Sequence, residues 1–116
     1  MTGTTIAGSS VGSSGVTASL ISIAYSLTLD SSNALYVTDY NNNRIQKWLP
    51  GASSGTTVAG QSNGAAGAST TAISMPVGIV LDSSNNMYFA DRSNQRVMYW
   101  ANGASSGTVI AGVTGK

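Results

Sequence analysis

The sequence contains no cysteine, no histidine and no glutamate. Without cysteine there is no disulfide, no thiolate nucleophile and no Cys-based metal site, and the redox compartment is left open. Without histidine there is no Ser–His–Asp triad and no imidazole zinc site. Charge is also scarce. Lys, Arg, Asp and Glu together make up 8% of the chain, against roughly 25% in ordinary soluble domains. Residues 1–29 and 48–81 carry no charged side chain at all. A net charge of +1 over 116 residues is no footprint for nucleic acid, so no nucleic-acid partner is expected. Long apolar runs are missing too. The uncharged stretches are rich in Ser, Thr, Gly and Asn, and none approaches the ~20 apolar residues of a spanning helix, so no membrane partner is expected. The start, Met1-Thr2-Gly3-Thr4, has neither the basic nor the apolar region of a signal peptide. There is no Asn-x-Ser/Thr sequon. The localisation stays unknown, although such a neutral, Cys-free surface suits a parent protein outside the cell.

What is present is a repeat. Residues 4–55 align without gaps on residues 56–107, with 24 identities in 52 positions. Asp30 returns as Asp82, Asp39 as Asp91, Arg44 as Arg96, Trp48 as Trp100 and Gly55 as Gly107. A third copy begins at residue 108 and breaks off at Lys116. The chain thus divides into a first repeat (4–55), a second (56–107) and the start of a third (108–116). It has the look of a piece of a longer array, natural or engineered.

Within each repeat the pattern is β. Alternation of apolar and polar residues predicts strands at Tyr25–Asp30, Leu35–Asp39, Arg44–Trp48 and Thr56–Ala59. In the second copy they fall at Val77–Asp82, Met87–Asp91, Arg96–Trp100 and Thr108–Ala111. Thr4–Ala7 repeats the fourth type of strand and is expected to be one; in a closed ring either it completes the last blade of the preceding chain or Thr108–Ala111 completes the blade of its own. Tyr40–Asn43 reads as a tight loop, and Gly60–Pro76 as a long loop, either ordered on the surface or flexible. Four short antiparallel strands per repeat predict an all-β chain of two β-propeller blades. The fourth strand of each blade comes from the start of the following repeat.

The spaced residues Leu27, Leu29-Asp30-Ser31-Ser32-Asn33, Leu35-Tyr36-Val37-Thr38-Asp39, Asn42 and Arg44-Ile45-Gln46 resemble the NHL repeat. In the second copy Met75-Pro76-Val77-Gly78-Ile79 adds the Pro-x-Gly-Ile start of that motif, which the first copy lacks. The resemblance implies six-bladed propellers, in a family that includes RNA-binding domains, amidating lyases and extracellular sensor domains. The lyases use a central metal held by His, which this chain does not have. RNA-binding members present a basic face. Here Lys47 and Arg92 are the only basic residues besides the repeated Arg and Lys116.

Most candidate site residues have a structural reading. Asp39 with Arg44, and Asp91 with Arg96, flank a four-residue loop and are placed to close a hairpin with a bidentate pair. Asp30 and Asp82 open Ser-Ser-Asn turns, where an Asp side chain accepts amide hydrogens two residues on. Their spacing matches no calcium loop, and no metal or cofactor is expected. Trp48 and Trp100 recur at one position per blade, as packing residues do. The positions that differ between the copies point elsewhere. Tyr25, Tyr40 and Arg92 are expected near the channel at one end of the propeller, where a ligand site would form.

The sequence admits three functional readings. The first is a non-enzymatic scaffold that assembles with itself, head to tail, as a homotrimer closing one six-bladed ring. Two blades alone leave two apolar faces open, and repeats bury their core only against neighbours. The second is a binding module for sugars or peptides. The third, a hydrolase or lyase, lacks every usual nucleophile–base pair, so no catalysis is expected.

Overall fold

The computed structural model describes residues 4–9 and 13–112. Among them eight strands form two four-stranded antiparallel sheets. The first sheet contains Ala24–Leu29 (β1), Leu35–Asp39 (β2), Arg44–Trp48 (β3) and Thr56–Gly60 (β4), in that spatial order. The second repeats it with Pro76–Leu81 (β5), Met87–Asp91 (β6), Arg96–Trp100 (β7) and Thr108–Gly112 (β8). The two middle strands of each sheet, and so the register, fall where the alternation places them. The first strands begin and end one residue earlier than expected, because the Asp30 and Asp82 side chains already belong to the turn. The fourth strands run one residue further, to Gly60 and Gly112.

The hairpin registers are the same in both sheets. Leu35 pairs with Trp48 and Asp39 with Arg44, as Met87 pairs with Trp100 and Asp91 with Arg96. Tyr40–Asn42 and Arg92–Asn94 each wind one 3₁₀ turn rather than a plain loop. Asn43 and Gln95 end these turns in the left-handed region. A bulge interrupts the pairing of the first strands in each sheet, between Ala24 and Leu27 and between Pro76 and Ile79. Such a bulge twists a strand locally.

The sheets pack face to face. Tyr36, Ile45 and Ala59 of the first sheet meet Ile79, Met87, Phe89, Met98 and Trp100 of the second in one buried cluster. β1 and β5 lie beside each other, and β2 also approaches β5. The two sheets therefore converge at their first strands, as the blades of a propeller do around their axis.

The connection from β4 to β5 is ordered rather than loose. Ile73 is fully buried in the cluster between the sheets. Gly107 N–H donates to Thr70 O at 2.7 Å, as Gly55 N–H donates to Ala18 O at 2.6 Å. The segment before β1 thus lies against the first sheet as its repeat lies against the second. Ile21, the counterpart of Ile73, packs with Ala7 on a smaller cluster of Leu35, Val37 and Trp48.

Thr4–Ala7 is not a strand, contrary to expectation. The strand type it would pair with belongs to a preceding blade, and a single chain contains none. Gly8 nevertheless holds φ +84°, matching Gly60 at +85° and Gly112 at +96°. The backbone turn that follows the fourth strand is kept even where the strand is not formed.

Gly60 needs that conformation and also a close approach. A Cβ there would lie 2.5 Å from the Asn43 carbonyl oxygen. Gly78, by contrast, has open space around it. Gly60→Ala is expected to destabilise the chain by at least about 1–2 kcal/mol. Gly78→Ala should stay within about 0.5 kcal/mol of the parent. Urea unfolding of the two variants compares them, and equal losses would contradict this account.

Candidate functional site

The chemistry-bearing residues sort to the two ends of the sheets. At one end lie the 3₁₀ turns and the long connection. At the other lie the Asp30 and Asp82 turns.

At the first end each repeated Asp and Arg form a buried ion pair. Arg44 Nε donates to Asp39 Oδ2 at 2.7 Å, and Arg96 Nε to Asp91 Oδ2 at the same distance. The remaining guanidinium donors reach backbone carbonyls of the segment that crosses this end. Arg44 Nη1 donates to Val16 and Ser62, and Nη2 to Thr17 and Leu20. Arg96 donates to Ala68, Ser69 and Ala72. The carboxylates are equally committed. Asp39 accepts from Ser22 N–H and Asn42 Nδ2. Asp91 accepts from Ser74 N–H and Asn94 Nδ2. These carboxylates have no approach for a substrate, and each pair is joined through Nε alone rather than bidentately, because the Nη groups go to backbone carbonyls.

Asn42 and Asn94 belong to the same network and had no role in the sequence reading. Besides the carboxylates they donate to Gly15 O and Gly67 O, each at 2.7 Å. The signal was available, because this Asn is identical in both copies beside the Asp and the Arg. Asn43 is different. Its Nδ2 donates to Gly64 O at 3.0 Å and its Oδ1 accepts from Met75 N–H at 2.9 Å, which ties the first sheet to the start of the second. Its counterpart is Gln95, so the repeat carried no signal for it.

Trp48 and Trp100 are buried packing residues. Trp100 Nε1 donates to Ala104 O at 2.8 Å, and its ring fills the space beside Gly107 that a Cβ would need.

At the opposite end Asp30 Oδ1 accepts from the Ser32 and Ala34 amides at 2.8 and 2.9 Å. Asp82 Oδ1 accepts from the Ser84 and Asn86 amides, both at 2.9 Å, and its Oδ2 from Asn86 Nδ2 at 3.0 Å. Desolvation pushes the Asp30 carboxyl up, but the Ala34 and Ser32 amides together with Lys47 outweigh it, and it lies below its ordinary 3.8. The Asn86 side chain and amide hold the Asp82 carboxyl below 3.8 as well. A depressed carboxyl is the opposite of what a general acid at neutral pH requires.

The three residues expected at a ligand site do come together. Tyr25 and Tyr40 stack with ring centroids 5.2 Å apart and planes 26° from parallel. Arg92 Nη1 donates to Tyr40 Oη at 2.9 Å. Tyr40 and Arg92 occupy the same place in successive repeats, so this bond runs from one 3₁₀ turn to the next. Tyr25 is 59% exposed, and Arg92 is exposed. Among the described residues no group of His, Cys, Asp or Glu could hold a metal ion. No helix among them is long and apolar enough to cross a membrane.

Two sheets of this topology, converging at their first strands, define a pair of β-propeller-like blades. The family model for the NHL repeat matches residues 26–48. That match spans β2, β3 and most of β1, with the Asp30 turn and the Asp39–Arg44 pair. It falls on the first copy, which lacks the Pro-x-Gly-Ile start. The chain thus carries an NHL repeat within two four-stranded antiparallel sheets, consistent with a two-blade fragment. No curated protein matches the chain.

Removing one guanidinium would leave a buried carboxylate without its counter-ion and several loop carbonyls without donors. Arg44→Ala and Arg96→Ala should each cost roughly 3–5 kcal/mol. Thermal unfolding measures this, and an unchanged melting temperature in both variants would refute the pairing account.

Acid should act at the other end. Carboxyls with depressed folded values stabilise the fold above the ordinary 3.8 and lose that contribution as pH falls through their lower folded values. Asp82→Asn keeps a turn-forming side chain and removes the titration. Its melting temperature should fall less steeply below pH 3.8 than that of the parent. Superimposable acid limbs would show that Asp82 contributes nothing.

Proposed function

We propose that the chain is a non-enzymatic scaffold that assembles head to tail with copies of itself, three chains closing one six-bladed ring. One observation carries this reading. Several positions buried between the two sheets are more exposed when their repeats fall on the outer faces, although Leu35, Val37 and Trp48 on the outer face of the first sheet are covered by Ala7, Ile21 and Ala52. Ile79 is 6% exposed, whereas its counterpart Leu27 is 62% exposed. Val58 packs against the core between the sheets, whereas Ile110 is 53% exposed. Tyr36 and Ile45 are buried, whereas Tyr88 and Val97 remain half-exposed.

On the outer face of the first sheet the open part is its first strand, where Leu27 and Leu29 are exposed. The outer face of the second has the pattern that the first sheet buries. A hollow of about 280 Å³ lined by Val77, Ala90, Val97 and Ala111 lies open on that second face. Two further copies, one on each side and placed by the step that relates the two sheets, would cover the two faces. Such head-to-tail contacts close when the rotation divides the circle. The NHL repeat favours six blades, hence three chains.

The terminal strands bear on how the ring closes. β8 pairs with β7 from Arg96–Gly112 to Tyr99–Thr108, so the second sheet is complete within its own chain. Thr4–Ala7 is then the redundant copy. Trimming residues 108–116 should lower the melting temperature far more than trimming 1–8. Light scattering should give a molar mass three times the 11.7 kDa of one chain. A mass of one or two chains with a cooperative fold retained on dilution would overturn the ring.

The Tyr25–Tyr40–Arg92 cluster favours a second reading, a ligand-binding module at the end of the propeller that bears the 3₁₀ turns. It is exposed, it takes no part in the core, and it is built from residues that the repeat does not reproduce.

A further inference from the structure

The charges of the chain are distributed unevenly between its two ends. Asp39, Asp91, Arg44 and Arg96 neutralise one another in buried pairs. Asp30 and Asp82 lie in the turns at the far end, and Lys47 sits one residue from that end of β3, over the Tyr36 ring. Among the described residues, Arg92 is then the unneutralised charge at the end bearing the 3₁₀ turns. An anion approaching there meets a cation and no competing carboxylate.

Arg92 uses Nη1 on Tyr40 Oη. Among the described residues its Nε and Nη2 have no acceptor. Those two donors form the edge of the guanidinium fork that takes a carboxylate bidentately. Beside it, Tyr25 extends the Tyr40 ring into a two-ring stack and keeps 59% of its surface exposed. Aromatic rings prefer offset stacks, and a third ring would lengthen this one. Few polar groups are available nearby for a polyhydroxylated ligand. Asn41 and Ser22, on the same two loops, are bonded to each other at 3.2 Å.

We propose that this cluster binds a small planar aromatic carboxylate, with its carboxylate on the Arg92 fork and its ring on Tyr25. The proposal deepens the ligand-binding reading and rests on it, but not on the ring, because all three residues belong to one chain. In a closed ring the Tyr40 of the following copy would stand on the other side of Arg92, since the repeat places residue 92 of one blade against residue 40 of the next. The site would then occur once per chain around one end of the channel.

Calorimetric titration of the full chain with benzoate, acetate, benzamide and glucuronate tests this. Benzoate carries both features, acetate only the charge and benzamide only the ring. Benzoate should bind about tenfold tighter than either, as one added stacked or charge-assisted contact allows. Arg92→Gln should abolish the gap between benzoate and benzamide. Tyr25→Ala should abolish the gap between benzoate and acetate, and Tyr25→Phe should restore it. The solution mass and melting temperature of these surface variants should match the parent. Acetate binding as tightly as benzoate overturns the aromatic class. Preference for glucuronate, lost in Arg92→Gln, overturns that class while leaving a ligand site at this end. Binding of none of the four, or binding indifferent to Arg92 and Tyr25, overturns both the class and the site. A mass of one chain with benzoate bound as expected would sink the ring alone.

Discussion

Each sheet is held to its neighbourhood by one buried guanidinium. A charge taken out of water is costly unless its partner and its remaining protons are all satisfied. Arg44 meets that condition by donating to Asp39 and to four carbonyls, of Val16, Ser62, Thr17 and Leu20. Those carbonyls belong to segments without strands or helices of their own, so the Arg satisfies the segment as the segment satisfies the Arg. Arg96 does the same for residues 68–72. Among the described residues no buried side-chain polar atom lacks a partner. The order of the long connection is a consequence. Its buried Ile73 supplies apolar contact, and Arg96 supplies the hydrogen bonds that such a loop lacks internally.

The same pair also fixes where the first strand of each sheet begins. Asp39 accepts from Ser22 N–H, just before β1, and Asp91 from Ser74 N–H, just before β5. The Ile23 carbonyl accepts from Tyr40 N–H at 2.9 Å, which draws the chain before β1 against the 3₁₀ turn. Tyr25, two residues on, is thereby delivered to the Tyr40 ring. Tyr25 and Tyr40 thus rest on buried groups of the first hairpin, although neither is itself buried. Rigid support beneath an exposed aromatic is what a binding surface requires, because little order must then be gained when a ligand arrives.

Much of this was legible in the sequence, for definable reasons. A period of two marks strands, and the Asp–Arg spacing marks a hairpin whose register puts the two opposite each other. Asp before Ser-Ser-Asn marks a turn because the interaction is local. The roles of Asn43 and of residues 60–75 were not legible. Arg96 is anchored to backbone carbonyls, and every residue type has one, so composition carries no trace of the contact. Asn43 binds across from one sheet to the start of the next, and its counterpart Gln95 faces no following sheet within the chain. Tyr25, Tyr40 and Arg92 were found by the reverse logic. A position free to differ between copies, at the end where loops converge, is one the fold does not dictate.

That logic extends to the two open faces. On the first sheet Gln46 and Thr57 hydrogen-bond each other on the outer face, beside Val37 and Trp48. Their counterparts Met98 and Val109 lie in or against the apolar cluster between the sheets. The contact inside the chain is therefore apolar at these two positions, and on the outer face of the first sheet a hydrogen-bonded polar pair takes their place, with Gln46 buried. A buried polar group costs little once it is hydrogen-bonded, and Gln46 meets that condition through Thr57. Lys47 and Tyr99 divide in the opposite way. Lys47 lies on the covered face, with its ammonium over the Tyr36 ring at 5.4 Å from the centroid. Tyr99 lies on the open face, set edge-on to Tyr88. The outer face of the second sheet thus leaves Tyr88, Tyr99 and Val97 half-exposed, and that of the first leaves Leu27 and Leu29 exposed. The two faces are unlike. Identical faces would favour a two-fold dimer; unlike faces favour succession around an axis.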